Sequence, residues 1–149
     1  MLNHIKPHGS LYGMAARQDE IAQAVCDAAD IFGVPLLGMT GTLHEKIYQA
    51  RGHGFVAEFC ADLEYRPDGG LIVTREHDAK DPALMAARVL RAIQHQLGTA
   101  TDGSDIPVRC ETVCIHSDTP NALDIARAIR AALSSGALPC PQSAPRYRM

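Results

Sequence analysis

The fold is decided by a segment that joins a strand to a helix, CIHSDTP at residues 114–120. The surrounding residues 111–116 are rich in β-forming side chains, which predicts a strand. Thr119 followed by Pro120 is the pattern of a cap and a first helical proline, which predicts that a helix begins there. The segment therefore predicts a strand that passes through a short polar turn directly into a helix.

Strands and helices alternate in the same way along the rest of the chain. Strands are predicted at residues 2–6, 34–37, 55–60 and 111–116, and helices are predicted to begin at Ser10, Asp19, Thr42, Asp81 and Thr119. The apolar stripe of the second helix is predicted to contain Ile21, Val25, Ala28 and Phe32. Residues 66–70 predict a turn, and residues 99–105 predict a loop. Such alternation predicts an α/β fold with parallel strands and crossover helices.

The composition limits the kind of protein. The 149 residues fit one domain, and a net charge of −3 gives no reason to expect a nucleic-acid partner. No apolar run approaches the roughly 20 residues that span a bilayer, so no membrane partner is expected. Five scattered cysteines indicate reduced thiols in a cytoplasmic protein. A zinc site built on Cys110 and Cys114 is disfavoured, because zinc takes about four ligands, usually at tighter spacings.

One face of the first predicted strand carries three titratable side chains. Alternation along a strand places His4, Lys6 and His8 on the same side. Burying three such groups is costly unless they have a task, and in parallel α/β folds ligands bind at the C-terminal ends of strands. The segment is therefore a candidate site. The alternative is an exposed edge strand whose charges are simply solvated.

Further candidate groups lie where other predicted strands end. His116 closes the strand at residues 111–116 and can act as an acid, a base or a ligand. Asp62 follows the strand at residues 55–60, and Arg75 is a natural clamp for a carboxylate. Asp118 is either a site residue or a capping residue. The charged residues 76–78 are interpreted as a solvated loop.

Two common catalytic patterns do not occur in the sequence. There is no GxSxG elbow, so a Ser-His-Asp triad has no support. The glycine-containing segment at residues 38–42 lacks the lysine of a phosphate-binding loop. Its backbone amides are still possible donors to an anion.

Four segments, taken in order, carry a resemblance to a known family. They are HIKPHGSLY at residues 4–12, PLLG at residues 35–38, residues 58–75, and VCIHSDTPNA at residues 113–122. Together they resemble the LamB/YcsF family, known as the A subunit of 5-oxoprolinase. The segment at residues 4–12 is similar to the family's segment VKPHGALY. Two positions depart from the family pattern. Leu63 stands where an arginine is common, and Ser117 stands where many members have glycine.

The resemblance implies a partial (β/α) barrel of the glycoside hydrolase/deacetylase type. Residues 1–136 are expected to form the C-terminal portion of the barrel, and residues 137–149 a loose tail. The family's N-terminal motifs NADxGE, CGFHAGD and GAHP do not occur here, so an N-terminally truncated member is expected. An open barrel exposes strand edges and apolar helix faces, which predicts self-association into a homo-oligomer or poor stability.

The resemblance also implies a reaction, the ATP-dependent opening of 5-oxo-L-proline to L-glutamate together with subunits B and C. ATP is the expected cofactor, and a small lactam is the expected substrate. The residues with implied catalytic roles are Lys6, His8, Asp62 and His116. The residues with implied substrate-binding roles are His4, Tyr12, Arg75 and Asp118. Lys6 is expected to stabilise negative charge on the reacting group, while the two catalytic histidines move protons.

Two other functions remain open at this level. Metal-dependent amide or acetyl hydrolysis would use His8, His116 and Asp62 as ligands, although the spacing of these residues does not support a metal site. A truncated, non-catalytic protein would retain only interaction surfaces. Metal analysis tests the first of these functions, and activity assays with and without subunits B and C test the second.

Overall fold

The computed structural model describes residues 2–135. The helices are α1 Ser10–Ala15, α2 Asp19–Ala29, α3 Leu43–Ala50, α4 Pro82–His95 and α5 Ala122–Ser134. The strands are β1 Leu36–Gly38, β2 Phe55–Cys60, β3 Glu64–Tyr65, β4 Leu71–Ile72, β5 Leu97–Thr99, β6 Asp105–Pro107 and β7 Thr112–Cys114. No helix within residues 2–135 is long and apolar enough to cross a membrane. The predicted tail at residues 137–149 lies outside the described residues.

The central sheet is parallel, as the alternation of elements predicts. Its order is β1-β2-β7, and both pairings are parallel. The strand predicted at residues 2–6 is reduced to one bridge between Ile5 and Leu36. Pro7 has no N–H to donate, so the ladder cannot continue along this segment. The α/β prediction is confirmed, and within residues 2–135 the sheet is not closed.

Two apolar clusters hold the helices against the sheet. One joins Phe59 of β2 to Val89 of α4 and Ile125 of α5. The other joins Leu36 of β1 to side chains of α2 and α3, including the fully buried Tyr48. Because successive strand side chains point to opposite faces, the residues on either side of Phe59 in β2 point away from α4 and α5. The opposite face of β2 is therefore free to carry polar groups.

Two predicted helix caps are confirmed. The Thr42 side chain accepts a hydrogen bond from the backbone N–H of His44 at the start of α3. The Asp81 carboxylate accepts from the backbone N–H groups of Ala83 and Leu84 at the start of α4, where Pro82 is the first residue. These side chains satisfy donors that have no partner inside the helix.

Two other predicted caps are wrong. The cap position of α1 is Gly9, whose φ of 59° lies in the left-handed region that favours glycine, so Ser10 is the first helical residue. The cap position of α5 is Asn121 rather than Thr119. Thr119 does not cap α5, because its hydroxyl donates to Asp62.

The predicted apolar stripe of α2 is also displaced. The helix ends at Ala29, so Phe32 lies beyond it and is 55% exposed. The buried face consists of Ala22, Val25, Cys26 and Ala29. Most of these side chains are small, which lets α2 lie close to its neighbours α1 and α3.

Two antiparallel hairpins complete the described chain. β3 pairs with β4 across the predicted turn at residues 66–70. β5 pairs with β6 on either side of the loop predicted at residues 99–105, which overlaps the strands only at Thr99 and Asp105. The second turn is closed by Asp102, whose carboxylate accepts from the backbone N–H of Ser104, and by Gly103 with a φ of 83°. Each strand of this hairpin has three residues, too few for an alternating pattern to be visible in the sequence.

Candidate functional site

The polar groups of the site lie at the C-terminal ends of β2 and β7, next to the segment that bridges to β1. Cys60 of β2 lies opposite Cys114 of β7 in the parallel register. Asp62 and His116, two residues beyond these cysteines, are hydrogen-bonded to each other. Lys6 donates a hydrogen bond to the Cys114 sulfur. Adjacent strands thus bring together residues that are far apart in the sequence.

Asp62 is the most firmly held residue of the site. It is 1% exposed, and its carboxylate accepts from the His116 backbone N–H at 2.8 Å, the His116 Nδ1 at 2.9 Å and the Thr119 hydroxyl at 2.8 Å. Burial disfavours the charged form, but the bonds from His116 and Thr119 outweigh it and lower the pKa of Asp62. Asp62 is therefore a fixed negative charge behind the His116 ring.

His116 is held as a cation. Its hydrogen bond with Asp62, followed by its contact with Cys114, raises the pKa of His116 to about 10. Nδ1 faces the carboxylate, so Nε2 points toward the Cys114 sulfur at 3.9 Å. The ring also stacks on His77, with centroids 6.4 Å apart. With its side chain 32% exposed, His116 can exchange protons with a bound molecule.

Cys114 is surrounded by donors. Lys6 Nζ donates to its sulfur at 3.2 Å, and His116 approaches at 3.9 Å. A hydrogen bond from Cys60, together with the contacts of His116 and Lys6, lowers the pKa of the Cys114 thiol far below its ordinary value. The interaction with Cys114, together with burial, raises the pKa of Cys60, so Cys114 is the more acidic thiol of the two.

Lys6 links Cys114 to a buried carboxylate. Its ammonium forms an ion pair with Glu58 Oε1 at 2.8 Å and lies 5.2 Å from the centre of the Tyr12 ring. Burial acts against the charged form, yet the interactions with Glu58 and Cys114 together outweigh it and raise the pKa of Lys6. Glu58 is 5% exposed, so its carboxylate is shielded from water, whereas the Lys6 side chain remains 25% exposed.

Tyr12 is buried, and the Lys6 ammonium lies over its ring. Burial, with the nearby Cys60 and Glu58, raises the pKa of the Tyr12 hydroxyl. Its ring contacts that of the buried His44 at 4.6 Å between centroids. Burial lowers the pKa of His44 to about 4, and its Nδ1 accepts from the backbone N–H of Met39. Neutral His44 thus has a structural role under the site.

Of the remaining predicted site residues, Asp118 is linked to this network through His77, and the other three are not part of it within the described chain. His4, His8 and Arg75 are exposed, and none forms a hydrogen bond or ion pair with another residue of the described chain. Asp118 is exposed and pairs with His77, whose Nε2 lies 3.5 Å from its carboxylate. The prediction that residues 76–78 are only a solvated loop is wrong for His77, because it contacts both Asp118 and His116.

Three residues of the network were not predicted: Glu58, Cys60 and Cys114. The signal that could have found them is strand alternation, since Glu58, Cys60 and Asp62 are two positions apart, as are Cys114 and His116. Spacing along the sequence relates Cys114 to Cys110, whereas its structural neighbour is Cys60 on the adjacent strand.

Two backbone amides of the segment at residues 38–42 already have partners within the chain. The sequence predicts possible anion donors among the amides of segment 38–42, but the N–H of Met39 donates to His44 and the N–H of Gly41 donates to Glu45. The Gly41 amide thus already donates to a carboxylate of the chain itself and is not a free donor to an anion. No step of the chemistry is assigned to ATP at these residues.

Of the three predicted metal ligands, Asp62 and His116 contact each other, whereas His8 lies apart from them. His8 is exposed, and the ligand atoms that converge within 4.8 Å in residues 2–135 belong to Cys60, Cys114 and His116. The Lys6 ammonium is 3.2 Å from the Cys114 sulfur, and His116 is itself held as a cation. Positive charge in contact with this sulfur favours its negatively charged form.

The fold and the site define a class: an α/β protein whose parallel strands present a charged, sulfur-containing site at their C-terminal ends. Residues 1–144 match the LamB/YcsF family. The chain belongs to the LamB/YcsF family. The family prediction made from the four sequence segments is thereby confirmed.

Relatives and a solved structure agree with this assignment. The chain is 39% identical over 139 residues to a 5-oxoprolinase A subunit of Pseudomonas syringae, covering 92% of this chain and 55% of that protein. It is 41% identical over 131 residues to the 5-oxoprolinase A subunit of Mycobacterium avium, covering 85% and 52%. The crystal structure of a lactam utilization protein from Thermus thermophilus matches with a TM-score of 0.75 and 35% identity, covering 89% and 54%. The chain spans about half the length of these proteins.

Proposed function

We propose that this chain acts like the A subunit of a 5-oxoprolinase, an ATP-dependent enzyme that opens 5-oxo-L-proline to L-glutamate. Relatives named as 5-oxoprolinase A subunits support the proposal. The observation that carries it is the connected network of Lys6, Cys114, His116 and Asp62 at the strand ends. A network of this kind supplies the charge and proton transfer that amide hydrolysis requires.

Opening a lactam needs two kinds of help. The carbonyl oxygen becomes negative when the carbonyl carbon is attacked, and the ring nitrogen must gain a proton before it leaves. The Lys6 ammonium, 25% exposed, is placed to stabilise the negative oxygen. His116 is placed to give its Nε2 proton to the leaving nitrogen, and Asp62 keeps the ring oriented for that transfer.

The three exposed residues predicted for the site, His4, His8 and Arg75, are assigned to substrate binding rather than to the reaction itself. His4 and His8 flank Lys6 in the sequence, and Arg75 follows the β3–β4 hairpin. We assign them to the substrate, with Arg75 as the clamp for its carboxylate. Each is solvent-exposed without another partner among the described residues, so each is available to a bound molecule.

The proposed function also requires partner subunits and a particular fold for the complete enzyme. We assign a partial barrel of the glycoside hydrolase/deacetylase type, a cytoplasmic location, and subunits B and C as partners. ATP is assigned to the assembled enzyme, since two amides of the glycine-containing segment at residues 38–42 already bond within the chain. The large apolar side chains exposed on the described surface, which include Ile31 and Phe32, support self-association. A monodisperse monomer that melts cooperatively would contradict that last point.

The test uses a chimera of a full-length relative. The half of the Pseudomonas syringae protein that matches this chain is replaced by residues 1–149, and the chimera is assayed with subunits B and C for ATP-dependent release of glutamate. We expect activity, and we expect Lys6→Ala and His116→Gln to lower it at least about 100-fold.

The matched control is Lys46→Ala, because Lys46 is an exposed lysine on α3, away from the network. It should keep full activity. An active chimera whose Lys6→Ala variant works as well as Lys46→Ala would remove Lys6 from the mechanism. An inactive but folded chimera would contradict the proposed function itself.

A further inference from the structure

Cys114 has the surroundings of a cysteine nucleophile. Its sulfur lies 3.9 Å from His116 Nε2, and the opposite nitrogen of that ring is 2.9 Å from Asp62 Oδ1. Nucleophilic enzymes show the same order of contacts: a nucleophile, a base next to it, and a third group that orients the base. The sequence contains no pattern for a serine triad, and the structure supplies a Cys-His-Asp arrangement from two neighbouring strands.

The orientation of His116 is fixed independently of Cys114. Asp62 accepts from the ring Nδ1, from the backbone of the same histidine and from Thr119, so the carboxylate cannot rotate without losing a bond. With Nδ1 engaged, Nε2 is the nitrogen available to the sulfur. A His that served only to satisfy a buried carboxylate would not need to present its second nitrogen to a thiol.

The sulfur is also stabilised as an anion and is partly accessible. Lys6 donates to the sulfur at 3.2 Å, and the Cys60 sulfur on the adjacent strand lies within 4.8 Å of it. The hydrogen bond from Cys60, with the contacts of His116 and Lys6, lowers the pKa of Cys114. Cys60 is 1% exposed, whereas the Cys114 side chain is only half-buried, so a molecule in the site meets Cys114 first.

We propose that Cys114 is the nucleophile of the site and forms a covalent acyl intermediate with the amide substrate. This rests on the proposed function for the identity of the substrate, a lactam. The Cys114 sulfur forms a bond to the carbonyl carbon, the ring carbon–nitrogen bond breaks, and His116 gives its proton to the ring nitrogen. Water then attacks the thioester, His116 takes a proton from it, and the sulfur leaves as a thiolate.

The first test measures thiol reactivity on the whole chain and needs no substrate. Iodoacetamide labelling at pH 6 to 8, read for each cysteine by mass spectrometry, should modify Cys114 at a nearly constant rate. Cys110 is the internal control, because burial raises its pKa to about 12. At pH 6 Cys114 should react at least about 10-fold faster than Cys110.

Variants separate a nucleophile from a structural thiol. In His116→Gln the Cys114 rate should become pH-dependent, rising as the thiol ionises, because one of its donors is gone. A Cys114 rate in the unmodified chain that is no faster than that of Cys110 would overturn the proposal. So would zinc that copurifies at one ion per chain and is lost in Cys114→Ser.

The second test traps the intermediate in the active chimera with subunits B and C. Isotope-labelled 5-oxoproline followed by acid quenching should leave label on the peptide that contains Cys114, and hydroxylamine should release it. Cys114→Ser should lose the label and at least about 1,000-fold in turnover. Cys110→Ser should keep both.

The two proposals fail in different ways. Turnover with no label on Cys114, and full turnover by Cys114→Ser, would refute the nucleophile while leaving the proposed function intact. A folded chimera without turnover, whose Cys114 still reacts as a thiolate in the first test, would refute the proposed 5-oxoprolinase function and support Cys114 as a nucleophile for another acyl substrate.

Discussion

Replacing Asp62 by alanine should destabilise the chain more than replacing any exposed aspartate. The carboxylate is 1% exposed and accepts hydrogen bonds from two donors of His116 and one of Thr119. Removing one partner of a buried charged pair costs about 3–5 kcal/mol. Because the His116 side chain is 32% exposed, water replaces part of the lost interaction, and we expect the lower end, about 3 kcal/mol.

A second substitution checks where that loss arises. Thr119→Val removes one hydrogen bond to the charged carboxylate and keeps the side-chain shape, which should cost about 1.5–2 kcal/mol. In the double variant with Asp62→Ala, the hydroxyl has already lost its acceptor. The two losses should therefore fall short of additive by about 1 kcal/mol or more.

The measurement is urea unfolding at pH 7, followed by far-ultraviolet circular dichroism. Asp78→Ala is the matched control, because Asp78 is exposed and forms no hydrogen bond or ion pair with another described residue. Its free energy of unfolding should stay within about 0.5 kcal/mol of the unmodified chain. If Asp62→Ala lies within about 1 kcal/mol of Asp78→Ala, the three hydrogen bonds do not stabilise the chain as the structure indicates.

The remaining predictions concern pH, packing and capping. The pKa of His116 is raised from 6.5 to about 10. The protonated ring therefore stabilises the fold fully below pH 6.5, and this contribution is lost as the pH rises through 10. Between pH 7 and 10 the free energy of unfolding should fall more in the unmodified chain than in His116→Gln. Gly38→Ala places a Cβ 2.6 Å from the His44 Cβ and should cost about 1–3 kcal/mol in urea unfolding, whereas Gly13→Ala in α1 meets nothing closer than 4.0 Å and should stabilise by about 0.5–1 kcal/mol. Asp81→Ala removes the α4 cap and should lower the free energy of unfolding by about 1 kcal/mol, measured in the same way.

Local signals in the sequence predicted the elements whose ends are marked by a residue with a strong preference for that position. The strand at residues 55–60 has the predicted bounds, and the caps Thr42 and Asp81 are where the sequence places them. The prediction failed for Thr119, since a threonine before proline has the same local appearance whether its hydroxyl bonds to its own helix or to a distant carboxylate. That choice depends on tertiary contact, which no local pattern contains.

The site was predicted in part for a similar reason. Alternation along a strand identified Lys6, and strand ends identified Asp62 and His116, because these signals depend only on position within one element. The pairing of Cys60 with Cys114 depends on which strands are neighbours and in what register. His77 was missed because a run of charged residues after a hairpin resembles any solvated loop, and only the path of the chain brings it to His116.

The contacts of Asp62 connect the stability of the fold to the geometry of the site. The carboxylate that orients the His116 ring also binds the backbone of that residue and the hydroxyl of Thr119, so it fixes the turn between β7 and α5 to the end of β2. The position of Nε2 relative to Cys114 is therefore set by the same bonds that hold two elements together. A variant such as Thr119→Val, which touches neither the sulfur nor the ring, should loosen this turn. It follows that the rate at which Cys114 is alkylated should respond to Thr119→Val, whereas in Asp78→Ala it should remain that of the unmodified chain.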